Sequence, residues 1–173
     1  LEAIWFARPN SFAWLTGGGD NVVNRAGDVG VAAAGYDGDG ITVVTNNIEA
    51  PRLRDEELDE DVDVATFDWY NTGLADAVAS ISPTPAAADF DVEGFDTVDA
   101  SALRQPLNEA QVATYRELSE EVTTAVESVA RGVEPTDTEL TVTAALREEL
   151  EARRISTPVV LVGGATRAQQ YRH

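Results

Sequence analysis

His173 is the one imidazole in the chain, and imidazole is the side chain that titrates near neutrality and serves most often as a general acid or base. It follows Tyr171-Arg172 at the very end of the sequence, a few residues beyond an apolar run closed by Gly163-Gly164. There is no Cys, so thiolate chemistry and a disulfide framework are excluded, and a zinc site using two or more His is excluded within this chain. Gly17-Gly18-Gly19 invites a comparison with phosphate-binding loops. A Walker A loop needs Gly-Lys followed by Ser or Thr, and no Lys occurs anywhere; the dinucleotide fingerprint also fails in spacing and in its following helix. The three glycines read as a turn requiring positive φ, and so does Gly163-Gly164. Asp37-Gly38-Asp39-Gly40 brings two carboxylates together, but no further ligands follow in calcium-loop register, and a hairpin turn is the reading. The acidic run at 55–63 reads as a solvated helix end. His173 is therefore the single catalytic candidate, its other reading being an ordinary terminal surface residue. No cofactor-binding and no metal-ligating residue is assigned, and the inventory is too thin for a complete enzyme.

The elements that would position these residues sit in a very acidic chain. The 173 residues carry 31 Asp and Glu against 12 basic side chains, all Arg, for a formal net charge of −19. A field of that sign repels phosphate backbones and anionic membrane surfaces, which argues against nucleic-acid and membrane partners. Self-repulsion at this density destabilises a compact state in dilute buffer and is screened by salt. The composition points to a salt-rich cytosol of the haloarchaeal type, and hence to a cytoplasmic protein. No run approaches the roughly 18 apolar residues of a membrane span, and no signal peptide is visible. The chain opens on Leu1 rather than Met and closes on His173 without a stop signal, so a longer parent is expected.

Residues 3–6 form a short apolar run suited to a first strand, and 11–15 lead into the glycine loop. Runs 29–36 and 41–45 flank the Asp-Gly punctuation as a hairpin. A helix is expected after Asn46-Asn47, with Pro51 in its first turn, continuing through 52–58. Asp61, Asp63 and Asp68 alternate with Val62, Val64 and Phe67 as a strand. Residues 69–81 are expected to form a helix with Leu74, Val78 and Ile81 on one face. The Pro- and Ala-rich stretch 82–89 reads as a linker, and 95–98 as a last short strand. Strands alternating with helices predict an α/β mixed sheet with flanking helices, with a boundary near 101–107. Beyond it, Asn108 and Gln111 form a reciprocal cap opening a long helix. Its apolar face runs through Val112, Tyr115, Leu118, Val122, Val126 and Val129 and closes at Gly132. Thr136 and Glu139 read as a second capping box, ahead of a helix with Val142, Ala145, Leu146 and Leu150 on one face. Pro158 ends that segment, and 159–162 reads as a buried-type strand. Two helices and a strand cannot enclose a core, so this third reads as the opening of a second domain.

Two stretches together resemble a known family. Arg8-Pro9-Asn10-Ser11-Phe12-Ala13-Trp14-Leu15-Thr16-Gly17 resembles the P-x-N-x-x-Y-L-T-G run of the creatinase/prolidase N-terminal domain, with Trp14 replacing the common Tyr. Leu107-Asn108-Glu109, the helix to Gly132 and Glu134-Pro135-Thr136-Asp137-Thr138-Glu139 resemble the start of that family's catalytic domain. There a helix is followed by G-x-T-E and a second helix; the Glu is kept here and the usual Gly after Pro is not. The segment from 159 to His173 resembles the family's V-x-S-G…H strand and loop, although Tyr171-Arg172 departs from the peptidase pattern. The resemblance spans nearly the whole chain, and order and separation carry it more than any one motif.

The resemblance implies a creatinase N-terminal, ribonuclease H-like domain over 1–104, then the incomplete start of a pita-bread α+β domain over 105–173. It implies an N-terminal fragment of an Xaa-Pro aminopeptidase or prolidase-like metallohydrolase of the peptidase M24 type, inactive alone. In a full-length peptidase it implies two divalent metal ions of manganese or cobalt type, a proline-containing peptide substrate and a homodimer. His173 matches the family's first active-site His, which binds substrate or the tetrahedral intermediate; the five metal ligands lie beyond it. Two other readings stay open: a non-catalytic dimerisation or protein-interaction module, and a metal-free amidinohydrolase resembling creatinase. Residues following His173 discriminate them.

Overall fold

The structure is a computed structural model that describes residues 1–171, so His173 lies outside the described residues. The chain divides into two compact units, Leu1–Pro106 and Leu107–His173.

The first unit is an α/β mixed sheet with flanking helices. In chain order it comprises β1 (Ala3–Phe6), α1 (Pro9–Thr16), β2 (Ala32–Tyr36), β3 (Ile41–Asn46), α2 (Ala50–Arg52) continuing as a π-helical turn over Leu53–Glu57, β4 (Asp63–Phe67), α3 (Leu74–Ile81), β5 (Ala86–Ala88), β6 (Asp96–Thr97) and α4 (Ser101–Arg104). The six strands lie in the order β4-β3-β2-β1-β5-β6. β1, β2 and β3 form an antiparallel meander, and the pairs β3–β4, β1–β5 and β5–β6 are parallel. Successive strand residues point to opposite faces, so two apolar clusters form. Trp5, Ala33, Val44, Ala86 and Ala88 meet Ala77 and Val78 of α3 on one face. Ala32, Ala34 and Val43 meet Phe12 of α1 and Leu53 on the other.

Local chemistry explains the element ends. Pro9 opens α1, where its missing N–H is not needed, and Gly17 closes the helix with φ 78° in the left-handed region. No helix was expected at 9–16, because its four apolar residues Phe12–Leu15 run consecutively and show no helical stripe. The 29–36 strand begins only at Ala32, and the 69–81 helix only at Leu74. Residues 68–72 form a turn organised by Asp68, whose carbonyl accepts from the N–H groups of Asn71 and Thr72.

The stretch 82–89 is not a linker. Its alanines form β5, inside the sheet, paired with β1 on one side and β6 on the other and buried at all three positions. Alanine has weak strand preference, and Pro83 and Pro85 punctuate the approach, so the local signal is a loop. Both prolines precede the strand, where they remove no ladder hydrogen bond.

The second unit holds α5 (Glu109–Gly132), α6 (Glu139–Glu151) and α7 (Ala165–Gln170). Asn108 and Gln111 cap α5 reciprocally, at 2.9 and 3.0 Å. The second capping box is not Thr136 with Glu139. Residues 134–137 are a turn in which the Asp137 carboxylate accepts from the Glu134 N–H, and the box is Thr138 with Thr141. α5 and α6 pack through Ala125 and Leu150, which are buried, and Arg153 is ion-paired with Glu121 at 3.2 Å. Val142 and Leu146 are half-buried on α6, whereas Ala145 is exposed.

Residues 159–162 do not form the expected strand: Val159 and Leu161 are 70% and 67% exposed. An apolar run becomes a strand only against a backbone partner, and among the described residues none is offered to it.

Candidate functional site

The segment leading to His173 is built as follows. Glu139, first residue of α6, accepts from the Gly164 N–H at 2.7 Å and so tethers the loop that opens α7. The Arg167 guanidinium lies over the Tyr171 ring, 5.5 Å from its centroid. Together with Thr166 and Gln170 these residues line an open depression of about 400 Å³. It offers one carboxylate, already engaged, along with a guanidinium, an amide, a hydroxyl and a phenol. That set can bind a polar group, but it contains no nucleophile paired with a base.

A second polar constellation lies where the parallel pair β1–β5 ends, a location that carries ligands in many open α/β sheets. Asp89 follows β5 and is buried. Its Oδ1 accepts from the N–H groups of Ala7 (2.8 Å) and Arg8 (3.3 Å), and Arg8 Nε donates to the Asp89 carbonyl at 2.7 Å. Asn21 is fully buried and donates through Nδ2 to the carbonyls of Ala7 (2.9 Å) and Ala32 (2.7 Å). Asp89 and Asn21 thus hold both backbone polar groups of Ala7 just past the end of β1. Gly30 closes over Asn21 so tightly that a Cβ there would fall 2.2 Å from its Cγ. This is a structural clamp that fixes the entry to α1. Sequence reasoning missed it because Asp89 stood at the end of a supposed linker and Asn21 in an unassigned loop.

The motifs at 17–19 and 37–40 are turns, whereas Gly163-Gly164 is not the positive-φ turn expected: Gly164 caps α7 with φ −69°. Gly17 and Gly18 have φ of 78° and 131°, whereas Gly19 is needed for close approach: a Cβ there would lie 2.8 Å from the Glu57 carbonyl oxygen. Glu57 accepts from the Asp20 N–H at 2.8 Å, and Arg52 ion-pairs with Glu49 and Glu57, so the glycine loop is fastened to the π turn. Asp37 bends the β2–β3 hairpin by accepting from the N–H groups of Asp39 and Gly40, bonds that favour its ionised form and pull its carboxyl below the ordinary range. Asp99 is lowered in the same way, chiefly by the N–H and hydroxyl of Ser101. Among the described residues no group of three or more His, Cys, Asp or Glu is placed to hold a metal ion, and no helix is long and apolar enough to cross a membrane.

No family model matches the sequence, and no curated protein does. Solved structures do share the fold. Prolidase from Pyrococcus furiosus aligns over 88% of this chain and 45% of its own, with 15% identity and a TM-score of 0.62. Prolidase from Pyrococcus horikoshii OT3 gives the same coverage, 12% identity and a TM-score of 0.66. X-Pro aminopeptidase from Thermotoga maritima MSB8 aligns over 88% of this chain and 47% of its own, with 12% identity and a TM-score of 0.62. The chain therefore spans less than half the length of these structures, and at these identities the likeness is one of fold. The mixed sheet with its flanking helices is that of the N-terminal portion of prolidase structures.

Proposed function

We propose that this chain is the N-terminal portion of an Xaa-Pro peptidase of the creatinase/prolidase type. Residues 1–104 serve as the creatinase N-terminal-like domain, and 105–173 as the beginning of the pita-bread domain. The observation that carries the reading is the fold shared over 88% of the chain with two prolidases and an X-Pro aminopeptidase, the last named for the substrate bond at issue. The ordered motifs from Arg8 to Gly17 and from Leu107 to His173 support it independently. The structure gives the first of these motifs a physical role: Arg8 joins the Asp89 clamp, Pro9 starts α1 and Gly17 ends it.

In this reading His173 donates a hydrogen bond to the oxyanion that develops when a peptide carbonyl preceding proline is attacked. Two divalent ions of manganese or cobalt type belong to the same reading. The described residues do not fit them, so their ligands are assigned outside residues 1–171. The working form is a homodimer in a salt-rich cytosol, binding a proline-containing peptide.

Two measurements test this. The present chain, supplied with Xaa-Pro dipeptides and manganese or cobalt, is expected to show no turnover. A longer product of the same reading frame is expected to hydrolyse them, and His173→Ala in it to lower kcat by about a hundredfold or more. Turnover by the short chain, or an inactive long product without two Asp, a His and two Glu downstream, overturns the reading. The salt-rich setting has its own check: the melting temperature of the chain should rise from dilute buffer to molar potassium chloride as the self-repulsion of its net charge of −19 is screened. A melting temperature that stays flat or falls removes it.

A further inference from the structure

The corner that joins β4 to α3 carries a contiguous pair of exposed aromatic rings. Trp69 and Tyr70 are 60% and 65% exposed and meet edge to face, with centroids 5.9 Å apart at 85°. In the neighbouring turn Ile48 is 61% exposed. The two turns are laced together by Asn47, whose Nδ2 donates to Asp68 Oδ1 at 3.3 Å and whose Oδ1 accepts from the Trp69 N–H at 3.4 Å. Asn71 donates to Asp68 Oδ2 at 3.3 Å. Asp68 is exposed, each of its carboxylate oxygens holds one weak neutral partner and has capacity for another, and among the described residues it forms no ion pair. Beside the corner, a cleft of about 160 Å³ between the sheet and α3 shares Phe67 and Thr72 with it and bears a second carboxylate, Asp76.

A contiguous pair of large aromatic side chains exposed on a braced turn is the kind of surface that marks an interaction site. The net charge of −19 disfavours an anionic occupant. What complements two aromatic rings beside an unpaired carboxylate is a planar cation. A guanidinium stacks on a ring face and donates two parallel bonds to a carboxylate, which an ammonium does not. We propose that Asp68, Trp69 and Tyr70 form a docking site for an arginine side chain presented by a partner protein, its guanidinium on the rings and paired with Asp68. This inference does not rest on the peptidase reading.

The test is a nuclear magnetic resonance titration of the whole chain with acetylated, amidated tri-arginine, with tri-lysine and tri-glutamate peptides as comparisons. Tri-arginine is expected to shift the Trp69 indole N–H and the Tyr70 and Asn71 amides in a saturable way, with tri-lysine weaker and tri-glutamate silent. Trp69→Ala should weaken binding by about fivefold and Asp68→Asn by about threefold, and Trp69→Ala with Tyr70→Ala should abolish the local shifts while leaving the circular dichroism spectrum unchanged. At molar salt the ring contribution should survive more than the charge contribution. Shifts scattered over the acidic surface and unchanged by Trp69→Ala overturn the proposal. So does sedimentation showing that the same substitutions dissociate a homodimer, since the occupant is then a second copy.

Discussion

Gly35→Ala is expected to lower the unfolding free energy of the first unit by about 2–4 kcal/mol, against a total of roughly 5–15 kcal/mol for an ordinary domain. The sign is the informative part. Glycine within a strand costs about 0.5–1 kcal/mol relative to alanine, so at an open position the substitution stabilises. Here Gly35 stands opposite Trp5 in the β1–β2 register, and a Cβ would fall 2.5 Å from the indole ring. The ring has nowhere to withdraw. It is buried among Ala33, Ala88 and Val78, and its Nε1 donates to Ser82 Oγ at 2.8 Å. Accommodation must displace the strand or break that hydrogen bond, and the melting temperature should fall by roughly 10–20 °C. Trp5→Phe in the Gly35→Ala background should recover part of the loss, and a double-mutant cycle would assign it to this contact. An unchanged or raised melting temperature for Gly35→Ala would mean that Trp5 does not lie under β2.

What was legible in the sequence follows how local each determinant is. β1, β3 and β4 carry branched or aromatic side chains and could be read as strands. The β2–β3 turn was legible because Asp-Gly residues set both its φ values and its side-chain bonds, and Asn108 was legible as a cap because its partner lies three residues away. The α6 cap was misplaced by two residues because Thr136 and Thr138 both offer a hydroxyl, and the Glu134–Asp137 turn, which decides between them, is a contact of its own. Residues 159–162 fail as a strand, and 86–88 succeed as one, for a single reason. Pairing is a property of the partner backbone, and side-chain composition at one strand does not report it.

The candidate site divides along the same line. Arg8, Pro9 and Gly17 were singled out by resemblance, and their work is positional: they fix the exit from β1 and both ends of α1. Asp89 and Asn21 complete that clamp from 82 and 14 residues beyond Ala7, respectively, distances over which no spacing rule operates. His173 was found by counting imidazoles, and a count names a residue without its surroundings. The aromatic corner at Trp69 was hidden inside a supposed helix, and it emerged only when α3 proved to begin at Leu74.

The segment 82–89 supplies the sharpest remaining test, since its two readings predict opposite outcomes for one substitution. If these residues were a linker, Ala88→Asp would add one more solvated carboxylate to an acidic surface and change stability by no more than about 0.5 kcal/mol. In the structure Ala88 is 1% exposed, pairs with Trp5 and Thr97, and belongs to the cluster of Trp5, Val78, Phe90 and Val92. A carboxylate there enters an apolar cluster, and burying it costs several kcal/mol even after its pKa rises to favour the neutral form. The expected result is a first unit largely unfolded in dilute buffer, read as loss of the near-ultraviolet Trp signal. Ala88→Asn should be milder, separating charge from volume, and Ala79→Asp on the exposed face of α3 should melt with the parent. If Ala88→Asp instead melts with Ala79→Asp, β5 is not between β1 and β6. The mixed sheet on which the likeness to the prolidase structures rests would then fail, and with it the observation on which the proposed function stands.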